Sequence, residues 1–209
     1  MLLRSGVCMS GRNERARRRL AYFLLARLKL KRVVGYLHPR TALALISGFN
    51  GALSIALLAA IAMLTQEPFI FPSVGASAFI LFYRPLVPAA SPRNVLIGHA
   101  IGVLSGWFSL WIFGLLGAPS AFDVGMDGMR VAATAVGMGL TCALMVWLRA
   151  AHPPAAATSL LVSMGLISSL WHLPLLLAGA SILVLQAFVM HRIAGVKYPY
   201  WSPQSPDGE

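Results

Sequence analysis

The sequence is poor in the residues from which most catalytic and metal sites are built. Only six of its 209 residues are Asp or Glu, and only two are Cys. Cys8 and Cys142 lie far apart without metal-ligand spacing, so we expect ordinary thiols with no redox or zinc role. HExxH, GxSxG and nucleotide-binding loops are all missing. We therefore expect a protein that is not an enzyme and that carries no metal or cofactor.

Charge is also scarce, and hydrophobic residues take its place. Charged residues make up 11% of the chain and hydrophobic residues 58%. A soluble domain of this size cannot bury so much apolar surface, so lipid is the expected solvent. The net charge of +11 is concentrated, because eleven of the seventeen Lys and Arg residues precede residue 41. This clustering is typical of contact with lipid head groups and argues against nucleic acid as a partner.

The first 40 residues are interpreted as a basic cytoplasmic tail with an amphipathic helix. Leu20, Phe23, Leu24 and Leu28 fall on one helical face next to an Arg-rich run. Such a pattern predicts a helix that lies on the anionic surface of the membrane. An organelle presequence is the alternative, because those segments are also rich in Arg and poor in acidic residues.

Six apolar segments follow, and we interpret residues 41–193 as a six-span transmembrane domain. Four segments are long, whereas the second and the fifth are short and begin at prolines. Residues 194–209 are then a short cytoplasmic tail. The six segments are Thr41–Leu64, Pro68–Tyr83, Val95–Ala118, Val131–Leu148, Pro153–Leu170 and Leu173–Met190.

The charges between the segments favour six crossings with both termini in the cytoplasm. Counted in this way, sixteen basic residues lie inside and only Arg130 lies outside. An excess of Lys and Arg on the cytoplasmic side is the usual orientation signal of membrane proteins. We therefore expect a multi-pass protein of a bacterial cytoplasmic membrane.

The order long, short, long occurs twice along the chain. Pro72 aligns with Pro154 and Ser77 with Ser159, and three spans per half would invert the second half relative to the first. The predicted fold class is an all-α membrane protein built from two inverted three-segment repeats. In transporters, paired short segments interrupted by Gly or Pro mark the midplane binding site. The alternative is that these small residues serve only close helix packing.

The starts of the two short segments predict an anion site. Helices beginning at Pro72 and at Pro153–Pro154 would start partway through the bilayer, with N–H groups and the positive end of the dipole facing inward. Each hydroxyl there could instead bond back to its own helix. The expected donors are backbone N–H groups and hydroxyls of Ser73, Gly75, Ala76, Ser77, Ala156, Ala157, Thr158 and Ser159.

Two histidines and a basic pair complete the candidate site. His99 lies roughly 9 Å into its helix, counted from Arg93, and His152 precedes the double proline. Ionisable groups within a membrane are functional candidates, and histidine can carry a proton that accompanies an anion. Alternatively, each histidine only fixes a loop through a carbonyl. Arg93 and Asn94 are expected to attract anions to the inner mouth, unless Arg93 reaches lipid phosphate instead.

Three motifs resemble the HPP family of integral membrane proteins. They are HPPAAATSLL after Arg149, FPSVGASAFILFYRPLVPAASPRNVLIGH, and the closing KYPYW, in the family's order over residues 40–201. Some plant and cyanobacterial members are linked to nitrite transport, so the resemblance implies a small monovalent anion as substrate. The sequence departs from the commoner family pattern at Ala156 and at Pro72.

The favoured function is a transporter or channel for a small, nitrite-like anion. The alternative is a non-transporting membrane scaffold or sensor whose basic N-terminus binds lipid or a partner, and a membrane enzyme is the least favoured class. The expected partners are the lipid bilayer and the anion. A homo-oligomer is also considered, since the small-residue face of Gly98, Gly102 and Gly106 could pack within the chain or between subunits.

Overall fold

The structure is a computed structural model that describes residues 39–167 and 171–203. The amphipathic segment around Leu20 lies outside these ranges. Within them the chain is all-helical, with seven α-helices and a 3₁₀ turn, Pro88–Ala90, between the second and third helices. The α-helices are α1 (Pro39–Thr65), α2 (Pro72–Tyr83), α3 (Pro92–Ile112), α4 (Ala121–Val124), α5 (Gly128–Trp147), α6 (Pro154–Ser163) and α7 (His172–Ile193).

Four of the described helices are long and apolar enough to cross a bilayer. They are α1 from Ala44 onward, α3, α5 and α7, with 20 to 22 residues each. At 1.5 Å per residue these lengths match a hydrocarbon layer of about 30 Å. Helices α2 and α6 contain 12 and 10 residues and reach only about 18 and 15 Å. The prediction of long segments alternating with two short ones therefore agrees with the helix lengths.

Prolines and a serine cap determine where the inner helices begin. Helix α2 starts at Pro72 and α6 at Pro154, each with the proline in the first turn. Helix α3 starts at Pro92, three residues before the predicted Val95. The earlier start follows from Ser91, whose hydroxyl accepts the N–H of Asn94 and caps the helix.

Glycines end two helices earlier than the apolar pattern predicts. Helix α3 stops at Ile112 rather than at Ala118, and Gly114 follows with a φ of 64°. Helix α6 stops at Ser163, and Gly165 follows with a φ of 76°. Glycine adopts this left-handed conformation without steric cost, so hydrophobic residues beyond it no longer extend the helix.

Helix α3 is the centre of the packing. It contacts α5, α6 and α7, while α2 packs against α1, α6 and α7. The two short helices therefore lie side by side, with long helices around them. Many large apolar side chains on the outer faces are exposed, including Leu104, Trp147 and Leu185. Such an apolar outer surface is the one expected for a protein surrounded by lipid.

The glycine face of α3 packs within the chain. A Cβ atom added at Gly98 would lie 2.8 Å from the Cβ of His152, and one at Gly102 would lie 2.5 Å from the carbonyl oxygen of Ala155. Gly106 is equally close to α6. The absence of side chains at these three positions lets α3 and the α6 region approach closely. The face is thus used for packing within the chain.

Candidate functional site

One buried hydroxyl joins two imidazole rings at the centre of the bundle. The Oγ atom of Ser77, on α2, lies 2.9 Å from Nε2 of His99 and 2.8 Å from Nε2 of His152. All three side chains are fully buried. Residues that are 22 and 75 positions apart in the sequence therefore meet at a single oxygen atom.

The outer nitrogen of each ring has a partner as well. Nδ1 of His99 lies 2.7 Å from Oγ1 of Thr158, which is fully buried on α6. Nδ1 of His152 lies 2.7 Å from the carbonyl oxygen of Ala89 in the 3₁₀ turn. We call Ser77, His99, His152 and Thr158 the histidine cluster. It links α2, α3, the 3₁₀ turn and the start of α6.

The proton positions in this cluster follow from its hydrogen-bonding partners. A carbonyl oxygen only accepts, so Nδ1 of His152 must carry the hydrogen that points to Ala89. In a neutral ring Nε2 of His152 is then an acceptor, and the Ser77 hydroxyl donates to it. Ser77 in turn accepts the Nε2–H of His99, whose Nδ1 accepts the Thr158 hydroxyl. For neutral rings every donor therefore points in one direction, from Thr158 towards Ala89.

The local sequence explains why these groups meet. Ser77 lies five residues after Pro72 and Thr158 four residues after Pro154, so each hydroxyl is just over one turn into its short helix. The close contact of α3 with the α6 region, described above, brings His99 to Thr158. The hydroxyls near the starts of the two proline-started helices are therefore buried in the interior.

Two further predicted hydroxyls are buried without a partner. Neither Oγ of Ser73 nor Oγ of Ser159 has a hydrogen-bond partner among the described residues, and both side chains are fully buried. Ser159 faces α5, where its Oγ lies 3.4 Å from a Cβ placed at Gly137. A buried hydroxyl without a partner costs free energy of about 1–3 kcal/mol. These two groups are therefore candidates for contact with a bound ligand.

The backbone donors expected at the helix starts are already paired at two positions. The N–H of Gly75 donates to the carbonyl of Phe71 at 3.2 Å, and the N–H of Ala156 donates to that of Pro153 at 3.0 Å. Contrary to expectation, these N–H groups are not free, because the first turn of each helix already uses them. Ala76 is exposed, and Ala157 is half-buried, on the same two helices.

Arg93 binds the end of α5. Its guanidinium donates to the carbonyl oxygens of Leu148 at 3.1 Å and Arg149 at 2.9 Å, and also to the side-chain oxygen of Asn94. Cations stabilise the carboxyl end of a helix in this way. The structure thus gives Arg93 a third role besides anion attraction and lipid contact, and Asn94 is buried beneath it.

Three polar groups in the interior are not among the predicted site residues: the carbonyls of Ala89 and Ala90 and the amide of Asn50. The carbonyl of Ala89 binds His152, but a backbone group leaves no mark on the side-chain pattern. The next carbonyl, that of Ala90, accepts the hydroxyl of buried Tyr198. Asn50, on α1, is fully buried, and no partner for its amide lies in the described part of the chain. It is a single polar amide within an apolar run, and that pattern could have identified it.

Residues 39–167 and 171–203 contain no group of three His, Cys, Asp or Glu side chains that could hold a metal ion. What they contain is four apolar helices of spanning length around a buried polar cluster. The molecule is therefore a multi-helix integral membrane protein, with its polar groups in the interior.

Comparison with known proteins identifies the family. Residues 37–199 match the family described as "HPP, transmembrane region", and the chain belongs to this family, as its three motifs predict. Two transmembrane proteins of Dictyostelium discoideum are each 32% identical to it, over 75% and 57% of this chain. The chain spans only 54% and 35% of the length of these relatives. No solved structure matches it significantly.

Proposed function

We propose that the protein is a transporter for a small inorganic anion, nitrite-like in size and charge, which binds beside the histidine cluster. The observation that carries this proposal is the meeting of polar groups from both short helices in a fully buried centre, together with the unpaired buried hydroxyls of Ser73 and Ser159 on the same two helices. Hydroxyl groups are suitable donors for a small anion in a low-dielectric site. The nitrite-linked members of the family support this choice of substrate.

Complete burial favours a carrier over an open channel. Ser77, His99, His152 and Thr158 have no exposed surface. An anion can therefore reach them only after the surrounding helices move. Exposure of the same site to each side in turn is the expected behaviour of a carrier built from two repeats.

The packing of two glycines supports the inverted repeat. Gly98 on α3 lies against the chain that leads into α6, with its Cβ position 3.6 Å from the carbonyl oxygen of Ala150. Gly179 on α7 lies against the chain that leads into α2, with its Cβ position 3.2 Å from the carbonyl oxygen of Phe69. The third helix of each half thus contacts the entry to the short helix of the other half, as a two-fold relation requires.

We further propose that both termini face the cytoplasm of a bacterial inner membrane. Arg93 at the start of α3 binds the carbonyl of Arg149 after α5, and its N–H donates to the carbonyl of Trp201. These three residues therefore lie at one end of the molecule, and two of them, Arg93 and Arg149, are basic residues assigned to the inside. Arg130 lies at the other end of α5, near Pro119.

Uptake into proteoliposomes tests the function. Nitrite, nitrate and chloride would be offered to vesicles containing the full chain, and protein-free vesicles would measure passive permeation of nitrous acid. We expect nitrite uptake above this background and an approximately tenfold loss in Ser73→Ala and in Ser159→Ala, as for one lost hydrogen bond to a charged group. Ser181→Ala is the control, because this hydroxyl is exposed on α7 and bonds Leu177 of its own helix.

The alternative is a non-transporting scaffold or sensor. It is favoured by the full burial of the cluster, whose hydrogen bonds are satisfied without a ligand. The basic tail that would bind lipid or a partner lies outside the described residues. If none of the three anions enters faster than in protein-free vesicles, the transport proposal fails and this alternative takes its place.

A further inference from the structure

We propose that Ser77, His99 and His152 form a binding site for one transferable proton, held on Nε2 of His152, and that this proton travels with the anion. The proton site stands on the geometry of the three side chains. Its coupling to an anion rests on the proposed function.

Three hydrogen-bonding atoms surround the hydroxyl of Ser77, and only two of them are used when both histidines are neutral. Its Oγ lies 2.8 Å from Nε2 of His152, 2.9 Å from Nε2 of His99 and 3.0 Å from the carbonyl oxygen of Ser73. The hydroxyl has a single hydrogen, which in the neutral cluster points to His152. The carbonyl of Ser73 is therefore available as a second acceptor for the same hydrogen.

Addition of one proton uses this second acceptor. The proton binds Nε2 of His152, which then donates to Oγ of Ser77, and the Ser77 hydroxyl rotates to donate to the carbonyl of Ser73. The bond from Nε2–H of His99 to Ser77 is unchanged, as is the bond from Nδ1–H of His152 to Ala89. The site gains one proton and one positive charge, and a single hydroxyl rotation is the only rearrangement. All donors of the three side chains are paired before and after the proton binds.

Few other charges stand near this site in the described part of the chain. On α3, Arg93 is bound to carbonyls at the end of α5. At the start of α5, Nη2 of Arg130 donates to the carbonyl of Pro119, while its Nη1 has no partner among the described residues. On α7, His191 is 3.0 Å from the carbonyl of Leu81, and His172 pairs with Glu67. The remaining titratable groups among the described side chains on helices packed around the site are Tyr83, which ends α2, the exposed Cys142 on α5, and Arg192, which follows His191.

The scarcity of positive charge beside the cluster explains why a bound anion would need a proton. An uncompensated anion in a low-dielectric interior costs several kcal/mol. Since none of the charged side chains named above is bonded to the cluster, a protonated His152 would provide the compensating charge. An anion moving with one proton carries no net charge, so its passage does not depend on the membrane potential.

Nitrogen-15 NMR of the histidines tests the proton site independently of transport. The full chain would be labelled and placed in lipid bilayers, and signals would be assigned with His99→Asn and His152→Asn. At neutral pH we expect the Nδ1–H form of His152 and the Nε2–H form of His99. On acidification, His152 gains a second proton and His99 does not. Ser77→Ala removes this preference and Ser181→Ala keeps it. The opposite tautomers, or a His152 that never gains the proton, would overturn the proposal.

Flux measurements test the coupling. Proteoliposomes containing a pH-sensitive dye would be held at a fixed potential while nitrite is added outside. We expect one proton to enter per nitrite in excess of protein-free vesicles, at a rate independent of potential. His152→Gln loses the protein-dependent acidification, whereas His172→Gln retains it. Protein-dependent nitrite uptake that moves charge without protons overturns the coupling and leaves the transport function intact. A proton site seen by NMR without any nitrite uptake supports the site and rejects the transport function.

Discussion

Tyr198 donates its phenolic hydroxyl to the carbonyl of Ala90, the residue after Ala89, whose own carbonyl binds His152. The KYPYW end of the chain is thereby fastened to the 3₁₀ turn next to the candidate site. Trp201 adds a second attachment, because its carbonyl accepts the N–H of Arg93 at 3.1 Å.

Replacement of Tyr198 by Phe removes the first attachment. We expect the free energy of unfolding to fall by about 1 kcal/mol, the usual net value of a buried hydrogen bond. Thermal unfolding followed by tryptophan fluorescence measures this loss. Tyr200→Phe is the matched control, since Tyr200 is 76% exposed. Equal unfolding temperatures for the two variants would show that the hydroxyl of Tyr198 contributes nothing.

The same tyrosine predicts a dependence on alkaline pH. Burial raises the pKa of the Tyr198 phenol above its ordinary value of about 10. The folded state therefore favours the neutral phenol, and its contribution to stability is complete below about pH 10 and lost as the pH rises further. We expect the advantage of the wild type over Tyr198→Phe to shrink as the pH rises above about 10. A difference in stability between the two proteins that stays constant above about pH 10 would contradict the prediction.

Thr158 and Thr141 separate a role in the cluster from a role in helix packing. Both hydroxyls are buried, but that of Thr158 binds His99, while that of Thr141 donates to the carbonyl of Gly137 in its own helix. Thr158→Val leaves Nδ1 of His99 without its donor and should cost about 1–3 kcal/mol of stability. Thr141→Val should cost less, because the helix already satisfies that carbonyl. Detergent-based unfolding of both variants measures the difference, and equal losses would remove the special role of Thr158.

Gly102 tests the close contact between α3 and α6. In Gly102→Ala the new Cβ would lie 2.5 Å from the carbonyl oxygen of Ala155, a backbone atom that cannot turn aside. We expect a loss of about 1–3 kcal/mol or more from overpacking. Gly139→Ala is the control, since nothing lies within 4 Å of its Cβ position, and alanine favours the helix there. Two variants of equal stability would mean that the helices separate without cost.

Arg93→Lys distinguishes a helix cap from a point charge. Lysine keeps the positive charge but lacks the two-pronged geometry that binds the carbonyls of Leu148 and Arg149. We expect a loss of roughly 1 kcal/mol in stability, with little change in the anion concentration that gives half-maximal uptake. If Arg93→Lys is as stable as the wild type while Arg93→Gln raises that concentration, attraction of anions is the main role of Arg93.

Much of the candidate site could be predicted because polar residues are rare in this chain. Ser77, His99, His152 and Thr158 stood out as polar groups in or beside apolar segments, and the prolines located the short helices. The contacts among them could not be predicted, since they depend on how four elements pack. Alignment of the two halves paired Ser77 with Ser159, yet it is Thr158, one position earlier, that joins the cluster. A shift of one residue rotates a helical side chain by about 100°, so the helix orientation decides which hydroxyl is used.

The ends of the helices could not be predicted from the apolar pattern either. The apolar pattern extends the fifth segment to Leu170, but the helix stops at Ser163. Hydropathy measures whether residues suit lipid or a protein interior, and an apolar turn suits either as well as a helix does. The end of the helix is instead indicated by Gly165, whose backbone is in the left-handed conformation.

The 3₁₀ turn gives the chain end a thermodynamic connection to the interior. Its three residues are closed by hydrogen bonds from the N–H of Ala90 to Val87 and from that of Ser91 to Pro88, so the turn moves as a unit. One of its carbonyls orients the ring of His152, and the next anchors Tyr198. Any event that changes the free energy with which the segment containing Tyr198 binds the turn therefore changes the free energy of the histidine arrangement. The reverse holds to the same extent.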